Sequence, residues 1–503
     1  MSLCDVLFAI FSPFPYFSSN KHINNRESPM KKLLILFICV SMICTAFAQE
    51  EKEDYSDAFK VIEVWLDAQK DFDKLPGISA IIVDDQDVIW EGAFGYSNPV
   101  TQVKAKPSTL YSICSISKLF TSVAIMKLYD EGKLRLDDEI GDLILWYDLK
   151  QAYPESGPIT VRSIMTHSAG LPREAQYPYW TAPDFNFPCR EEVKEKLGDH
   201  ETLYPASTYF QYSNLGMSLL GEVVEEVSGA PYDEYIEKNI LKPLKMKDTR
   251  TVLPEKKHGK ELAVGYGMVN REGERGKLKI FQAEGIKPAA GFSSNVTDLA
   301  KFASWQFRLR DSKDPEILKP STLKNMQNVH WMDPDFDLTW GLGFYVFQHN
   351  GTKWAGHNGS CPGYKSTLEL DLENKMAYSV MVNANGISPY AYAMGMNDII
   401  SKASGESLNL NLDLDLSDYV GNYSEQPWYA ETYMGTWYGK IVCFDLPSED
   451  PVGDMTFLEY IDKDVFRRVR DNGELGEVVT FQRDDNGEIV SYKWFQNFSK
   501  KIK

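Results

Sequence analysis

Cysteine is scarce in this 503-residue chain. There are seven, and three of them (Cys4, Cys39 and Cys44) fall in the first 48 residues. The other four, Cys114, Cys189, Cys361 and Cys443, are too few for a disulfide-built scaffold, and their spacing does not suggest zinc. Positive charge is also short. Lys and Arg number 53 against 72 Asp and Glu, a formal net charge of −19. Nucleic acid and acidic membrane surfaces are therefore unfavourable partners, and the acidity reads as solubility. Internal repeats are absent. The conspicuous apolar run, Leu33 to Cys44, is too short and too near the terminus for a membrane span.

That run belongs to MKKLLILFICVSMICTAFAQ, which starts at Met30. Two lysines precede the apolar stretch, and the small residues Ala46 and Ala48 follow it, which is the pattern of a secretory signal peptide cut before Gln49. Residues 1–48 are thus expected to be a leader, with translation starting at Met30 and residues 1–29 left unexplained. A lipid anchor through Cys44 fits less well, because bulky Ile43 stands where a small residue is expected. Export places the mature chain in an oxidising compartment, periplasmic or secreted, without a stable membrane span.

Beyond the leader, the patterning predicts an amphipathic helix over Tyr55 to Lys70. Two β-rich runs flank a turn at Asp84–Asp87. A helical pattern runs from Ser115 to Asp130 and stops at Gly132, and further helical segments reach about Lys247. Strand patterns return around residues 339–384, and a helix is predicted over Tyr390 to Ala403. These elements make one α/β domain with a helical subdomain, residues 50–404. GESLNLNLDLDL reads as a linker over 405–414, and residues 415–503 as a small β-rich domain with a hairpin turn at Asn486-Gly487. The C-terminal part has no acid–base constellation, so it reads as a packing or binding module.

Ser-x-x-Lys occurs four times, at Ser18/Lys21, Ser28/Lys31, Ser115/Lys118 and Ser321/Lys324, so the spacing alone means little. Ser115 differs in its setting. It opens a helix whose body is apolar (Leu119, Phe120, Val123, Ile125, Met126), hence one expected to be buried. Residues i and i+3 share a helix face. A desolvated amine loses its charge more easily, and the positive helix end sits at the hydroxyl, so this pair suits an activated nucleophile. Ser321, after Pro320, reads as an exposed N-cap. Tyr212-Ser213-Asn214 precedes an apolar helix, Leu215 to Val227, whereas Tyr96-Ser97-Asn98 runs into Pro99 and reads as a turn. His357-Asn358-Gly359 follows a similar tripeptide, His349-Asn350-Gly351, which is most simply a hairpin. Each of these residues also has a plain structural reading, as a core tyrosine or a hydrogen-bonded strand histidine.

Taken together and in order, Ser115-x-x-Lys118, Tyr212-x-Asn214 and His357-x-Gly359 resemble the three active-site motifs of the serine β-lactamase and penicillin-binding-protein superfamily. Tyr-x-Asn and His-x-Gly are similar to the class C-related branch, with its esterases, D-amino-acid peptidases and carboxypeptidases. ITVRSIMTHSAGLP (Ile159–Pro172), GFSSNVTDLAKF (Gly291–Phe302) and GHNGSCPGY (Gly356–Tyr364) extend the likeness over about residues 60–400. The resemblance implies a β-lactamase-like α/β fold followed by the small C-terminal β domain.

It also implies a chemistry. Ser115 would form an acyl-enzyme, and Lys118 and Tyr212 would share proton handling, with Lys118 holding Tyr212 near ionisation. Asn214 would orient Lys118. The backbone N–H groups of Ser115 and Ser360 would form the oxyanion hole, and Asn358 and Gly359 would line the substrate. Neither a metal nor an organic cofactor is needed for such a reaction. Where β-lactamases carry lysine, this chain has His357, mostly neutral at pH 7. Esters or peptides, some with D-residues, are therefore expected over β-lactams. His167 in THSAGLP is expected to be structural. The aromatic stretch REAQYPYWTAPDFNFP reads either as a pocket wall or lid, or as loop packing. Cys114 and Cys361 flank the first and third motifs. A bridge between these positions occurs in some class A relatives, which implies a disulfide here, with two buried thiols as the alternative.

The reading is an exported serine hydrolase acting on a small-molecule or peptide amide or ester. The competing readings are a penicillin-binding receptor that acylates with little turnover, and an interaction protein working through its C-terminal domain. Oligomeric state is not legible in the sequence.

Overall fold

The run GISAIIVD at Gly77–Asp84 lacks the apolar–polar alternation of a half-exposed strand, and seven of its eight residues are buried. Such a strand needs cover on both faces, and the computed structural model provides it. The structure describes residues 53–404, 414–427 and 429–502. Tyr55–Lys503 form one compact unit, and residues 1–52 lie outside the described residues. The expected leader and almost all of the expected linker therefore fall outside the described residues.

The first helix, α1 (Ser56–Phe72), precedes strands β1 (Gly77–Asp84), β2 (Asp87–Asn98) and β3 (Val103–Lys104). Strands β4 (Trp331–Met332), β5 (Thr339–Trp340), β6 (Tyr345–His349), β7 (Thr352–Cys361), β8 (Tyr364–Asp371) and β9 (Met376–Val382) come much later in the chain. They complete one nine-stranded antiparallel sheet in the order β3-β2-β1-β9-β8-β7-β6-β5-β4. The central place of β1 beside β9, with Ala80 opposite Val380, joins the two ends of the domain. One face of the sheet (Ile78, Ala80, Ile82, Val380, Val382) packs on α1 and on α5 (Pro389–Ala403). The other face (Ile81, Val83, Leu368, Leu370, Met381) packs on α2 (Ser117–Asp130), α3 (Asn214–Ser228), α4 (Val296–Asp311) and the irregular segments between them. This is the expected β-lactamase-like α/β architecture.

The predicted helices fall within two residues of the observed ones, with local causes for their ends. Ser213 caps α3, its hydroxyl accepting from Gly216 N at 2.8 Å, and Gly229 ends it in the left-handed region at φ +71°. Ser321 differs from expectation. Lys319 is the N-cap of that short helix, because Pro320 takes the first helical position and leaves Ser321 exposed inside the first turn.

The C-terminal strands β10 (Gly421–Gln426), β11 (Tyr429–Trp437), β12 (Lys440–Leu446), β13 (Thr456–Asp462), β14 (Val465–Val469), β15 (Leu475–Arg483), β16 (Ile489–Trp494) and β17 (Asn497–Lys500) pair in sequence order. A bridge between Tyr423 and Lys501, with Ile502 N donating to Asn422 O at 2.8 Å, nearly closes them into a barrel. Its interior is filled by Met434, Ile441, Leu458, Phe466, Phe481 and other apolar residues. The barrel docks on α1. Asp57 accepts from Thr436 Oγ1 at 2.7 Å and Tyr438 N at 2.8 Å, and Trp65 Nε1 donates to Ser448 O at 2.9 Å.

Candidate active site

The chain enters the site through Tyr111–Ser112, a two-residue strand paired with Ser293–Ser294. Ile113 N donates to Phe292 O at 2.9 Å, and Cys114 then turns into the left-handed region at φ +52°. That conformation is uncommon for a residue with a side chain. It reverses the chain into a single 3₁₀ turn, Cys114–Ile116, from which α2 continues. Ser117 fixes the turn: its hydroxyl donates to Cys114 O at 2.5 Å and accepts from Phe292 N at 3.0 Å. Ser115 therefore sits in the turn rather than in regular helix, with its side chain half-buried.

Lys118 is fully buried at 0% exposure. Its Nζ lies 3.0 Å from Ser115 Oγ, 2.8 Å from Asn214 Oδ1 and 2.8 Å from the carbonyl of Ala289. Burial pushes its pKa down to about 7, and the thiol of Cys361 and the carboxylate of Glu174 partly oppose that fall. A neutral lysine has two N–H groups and one lone pair. Asn214 Oδ1 and Ala289 O can only accept, so they take the two N–H groups. The lone pair is left facing the Ser115 hydroxyl.

Tyr212 borders the same site, its ring face beneath the Lys118 amine. Its ring lies 4.2 Å from that of His167 and 6.3 Å from that of His357, centroid to centroid. The expectation that Lys118 holds Tyr212 near ionisation does not hold. Burial raises the phenol well above its ordinary value, and the interaction with Ser115 only partly offsets this. Lys118 Nζ lies 4.8 Å over the face of the ring, while its hydrogen bonds go elsewhere. Tyr212 is thus a protonated phenol at neutral pH.

His357, on β7, is 3% exposed. Burial and the neighbouring Lys118 lower its pKa to about 3. Its Nδ1 lies 2.7 Å from the carbonyl of Asn358, so Nδ1 carries the proton. The bare Nε2 has no partner among the described residues. Gly359, the next but one along β7, has no room for a side chain. A β-carbon there would collide with the Ile113 carbonyl and the Ser366 hydroxyl. This close approach brings the exposed Ser360 segment alongside the Ser115 turn.

Asn358 departs from its expected role. Alternation along β7 turns its side chain to the opposite face from His357. There its Oδ1 accepts from Thr367 Oγ1 at 2.5 Å and Tyr345 Oη at 3.3 Å, beside the buried Glu369. The expected Cys114–Cys361 bridge is not formed. Both are buried free thiols, and Cys114 Sγ lies 3.5 Å from Ser112 O and 3.8 Å from Tyr364 O. His167 is structural, as expected. It accepts from Ser213 N through Nδ1 at 3.2 Å, and burial holds it neutral. In the aromatic stretch Tyr179 is fully buried, the rings of Trp180 and Phe187 lie tilted against it, and its hydroxyl donates to Glu174.

Glu174 and Trp340 were not singled out by sequence reasoning. Glu174 binds Asn214, and Trp340 packs at 5.8 Å from His357 and 5.2 Å from His167. Glu174 directly follows the Gly-Leu-Pro-Arg stretch, and nothing local marks it among 72 acidic residues. Among the described residues no group of His, Cys, Asp or Glu is placed to hold a metal ion. No described helix is long and apolar enough to cross a membrane.

Comparison with known proteins agrees with this arrangement. The Beta-lactamase family model matches residues 66–398. Beta-lactamase-like protein 2 of Dictyostelium discoideum is 25% identical over 404 residues, 77% of this chain and 70% of that protein. Protein flp of Staphylococcus aureus (strain MW2) is 26% identical over 324 residues, which span 63% of this chain and 61% of that protein. Among solved structures, an octameric penicillin-binding protein homologue from Pyrococcus abyssi is 26% identical with a TM-score of 0.61, covering 87% of this chain and 98% of that one. A β-lactamase/D-alanine carboxypeptidase from Yersinia pestis, 20% identical with a TM-score of 0.57 over 69% of this chain and 98% of that one, shares the fold. With the model spanning most of the sheet and helical layers that carry these motifs, the chain belongs to the Beta-lactamase family.

Proposed function

We propose that the protein is an exported serine hydrolase that cleaves an amide or ester through an acyl-enzyme on Ser115. The observation that carries this reading is Lys118 Nζ at 3.0 Å from Ser115 Oγ, with its other two contacts made to fixed acceptors. A base poised near neutral pH is suited to take a proton and give it back.

In the first step Lys118 takes the Ser115 hydroxyl proton while Oγ bonds to the substrate carbonyl carbon. The oxygen charge that develops is received by the backbone N–H groups of Ser115 and Ser360. One such donor is typically worth about 3 kcal/mol in the transition state. As the bond to the leaving group breaks, Tyr212 gives that group its phenolic proton and regains one from solvent, to which Lys118 returns the serine proton. The net transfer is the serine proton to the leaving group. Water then attacks the ester of Ser115 by the same route in reverse, releasing the acid and restoring Ser115.

Substrate preference follows from charge. His357 is neutral, so the third motif offers no standing cation to a substrate carboxylate. Its Nε2 is buried and without a partner among the described residues, so it adds no charge to the site. This favours peptides or esters over β-lactams. The test is a panel of esters, D- and L-amino-acid peptides and a penicillin, with product followed for wild type and Ser115→Ala. Turnover by wild type alone supports the reading. Turnover by the variant at the wild-type rate removes Ser115 from the chemistry. A wild type that stays acylated without releasing product is a receptor instead.

A further inference from the structure

The side-chain amide of Asn214 can face Lys118 in either of two ways, and only one is useful. With Oδ1 inward it accepts from Lys118; with Nδ2 inward it would present a donor to a donor. The structure contains the group that decides between them. Asn214 Nδ2 lies 2.9 Å from Glu174 Oε1 and 3.0 Å from Oε2, and a carboxylate can only accept. Glu174 thereby forces Nδ2 outward and Oδ1 onto Lys118.

Glu174 is itself held on several sides. Tyr179 donates its hydroxyl to Oε2, and Arg173 Nε lies 3.2 Å from Oε1. The carbonyl of Arg173 accepts from Asn214 N at 2.7 Å and Leu215 N at 3.2 Å, so the start of α3 and the Glu174 backbone are tied together. The carboxylate is 23% exposed, sheltered enough for its charge to be felt.

We propose that Glu174 is a positioning residue that orients Asn214 and, acting through it, sets the hydrogen bonding of the Lys118 amine. The proposal rests on the reading of Lys118 as the base for Ser115. The charged and titratable groups around Lys118 are Cys114 beside the nucleophile, Arg173 and Glu174 on the loop before α3, Tyr212 ahead of α3, His167, and His357 and Cys361 on β7. Glu174 is the one carboxylate among them. Burial alone drives Lys118 toward the neutral amine, which can take a proton but does not hold it for delivery. A negative charge one amide away opposes that drift. The Glu174–Asn214–Lys118–Ser115 chain thus links a surface-side carboxylate to the nucleophile.

The test compares wild type, Glu174→Gln and Glu174→Ala by ¹⁵N-lysine NMR of the Lys118 side chain, and by the pH profile of kcat/KM. Glu174→Gln keeps the shape and removes the charge. Its Lys118 midpoint is expected to fall by about one pH unit, the size of one screened charge at this range, and the acid limb of the profile moves with it. Glu174→Ala shifts the midpoint the same way and also lowers kcat, because Asn214 is no longer oriented. A folded Glu174→Gln protein whose Lys118 titrates as in wild type overturns the proposal, whatever its activity. A shifted Lys118 in a protein that forms no Ser115 adduct leaves this inference standing and overturns the hydrolase reading alone.

Discussion

Gly359 and Ile113 meet backbone to backbone, with no space between them for a β-carbon. The contact joins the third-motif strand to the nucleophile turn, and it sets the distance between the two expected oxyanion donors. Gly359→Ala must push β7 away from Ile113, since neither backbone can rotate out of the way. Loss of one donor corresponds to about a 100-fold drop in kcat/KM. Steady-state kinetics beside a thermal melt check this: a folded Gly359→Ala enzyme with wild-type kcat/KM contradicts it.

The pH profile follows from Lys118 and not from His357. The base must be unprotonated, so activity falls as pH drops through the folded Lys118 value of about 7. His357, at about 3, is already neutral across that window. A His357→Gln variant is therefore expected to keep the acid limb near pH 7 while losing rate. An acid limb that disappears with the imidazole would show that His357, rather than Lys118, is the titrating group.

Tyr212→Phe keeps the ring that packs on His167 and Trp340 and removes the proton donor. General acid assistance is typically worth about 10²–10⁴-fold. The loss should be large for amides, whose leaving nitrogen needs a proton, and small for p-nitrophenyl esters, whose leaving group does not. Equal losses on both substrate types would assign Tyr212 a role other than proton donation.

Asp57 links the barrel to α1 on the sheet face opposite Ser115. Asp57→Ala leaves Thr436 Oγ1 and the buried Tyr438 N–H without their acceptor. That costs about 1–3 kcal/mol, seen as a lower Tm with kcat unchanged. An unchanged Tm would mean that the polar docking contacts add nothing to the apolar ones.

Much of this was legible in the residues. Apolar runs at β1 and β9 and the 3.6-residue pattern of α1 and α5 depend on local chemistry, and they fell where the patterns placed them. A spacing of three brings Ser115 and Lys118 together, across a 3₁₀ turn and not within the regular helix expected. What was hidden depends on contacts between distant segments. The left-handed turn at Cys114 exists because Ser117 and Phe292 hold it. The phenol of Tyr212 is un-ionised because of what buries it. Asn358 points away from the site because β7 alternates, a consequence visible only once His357 is known to face inward. Glu174 acquires its role only when α3 brings Asn214 to it. The disulfide expected between Cys114 and Cys361 is not formed, and both remain thiols.

The most direct test is intact-mass spectrometry of acid-quenched reactions, followed by peptide mapping. Wild-type protein mixed with a slowly released ester or a penicillin is predicted to gain one acyl group, on the tryptic peptide holding Ser115, while Ser115→Ala gains none. An adduct on another residue, or product formed by Ser115→Ala at the wild-type rate, would contradict the account.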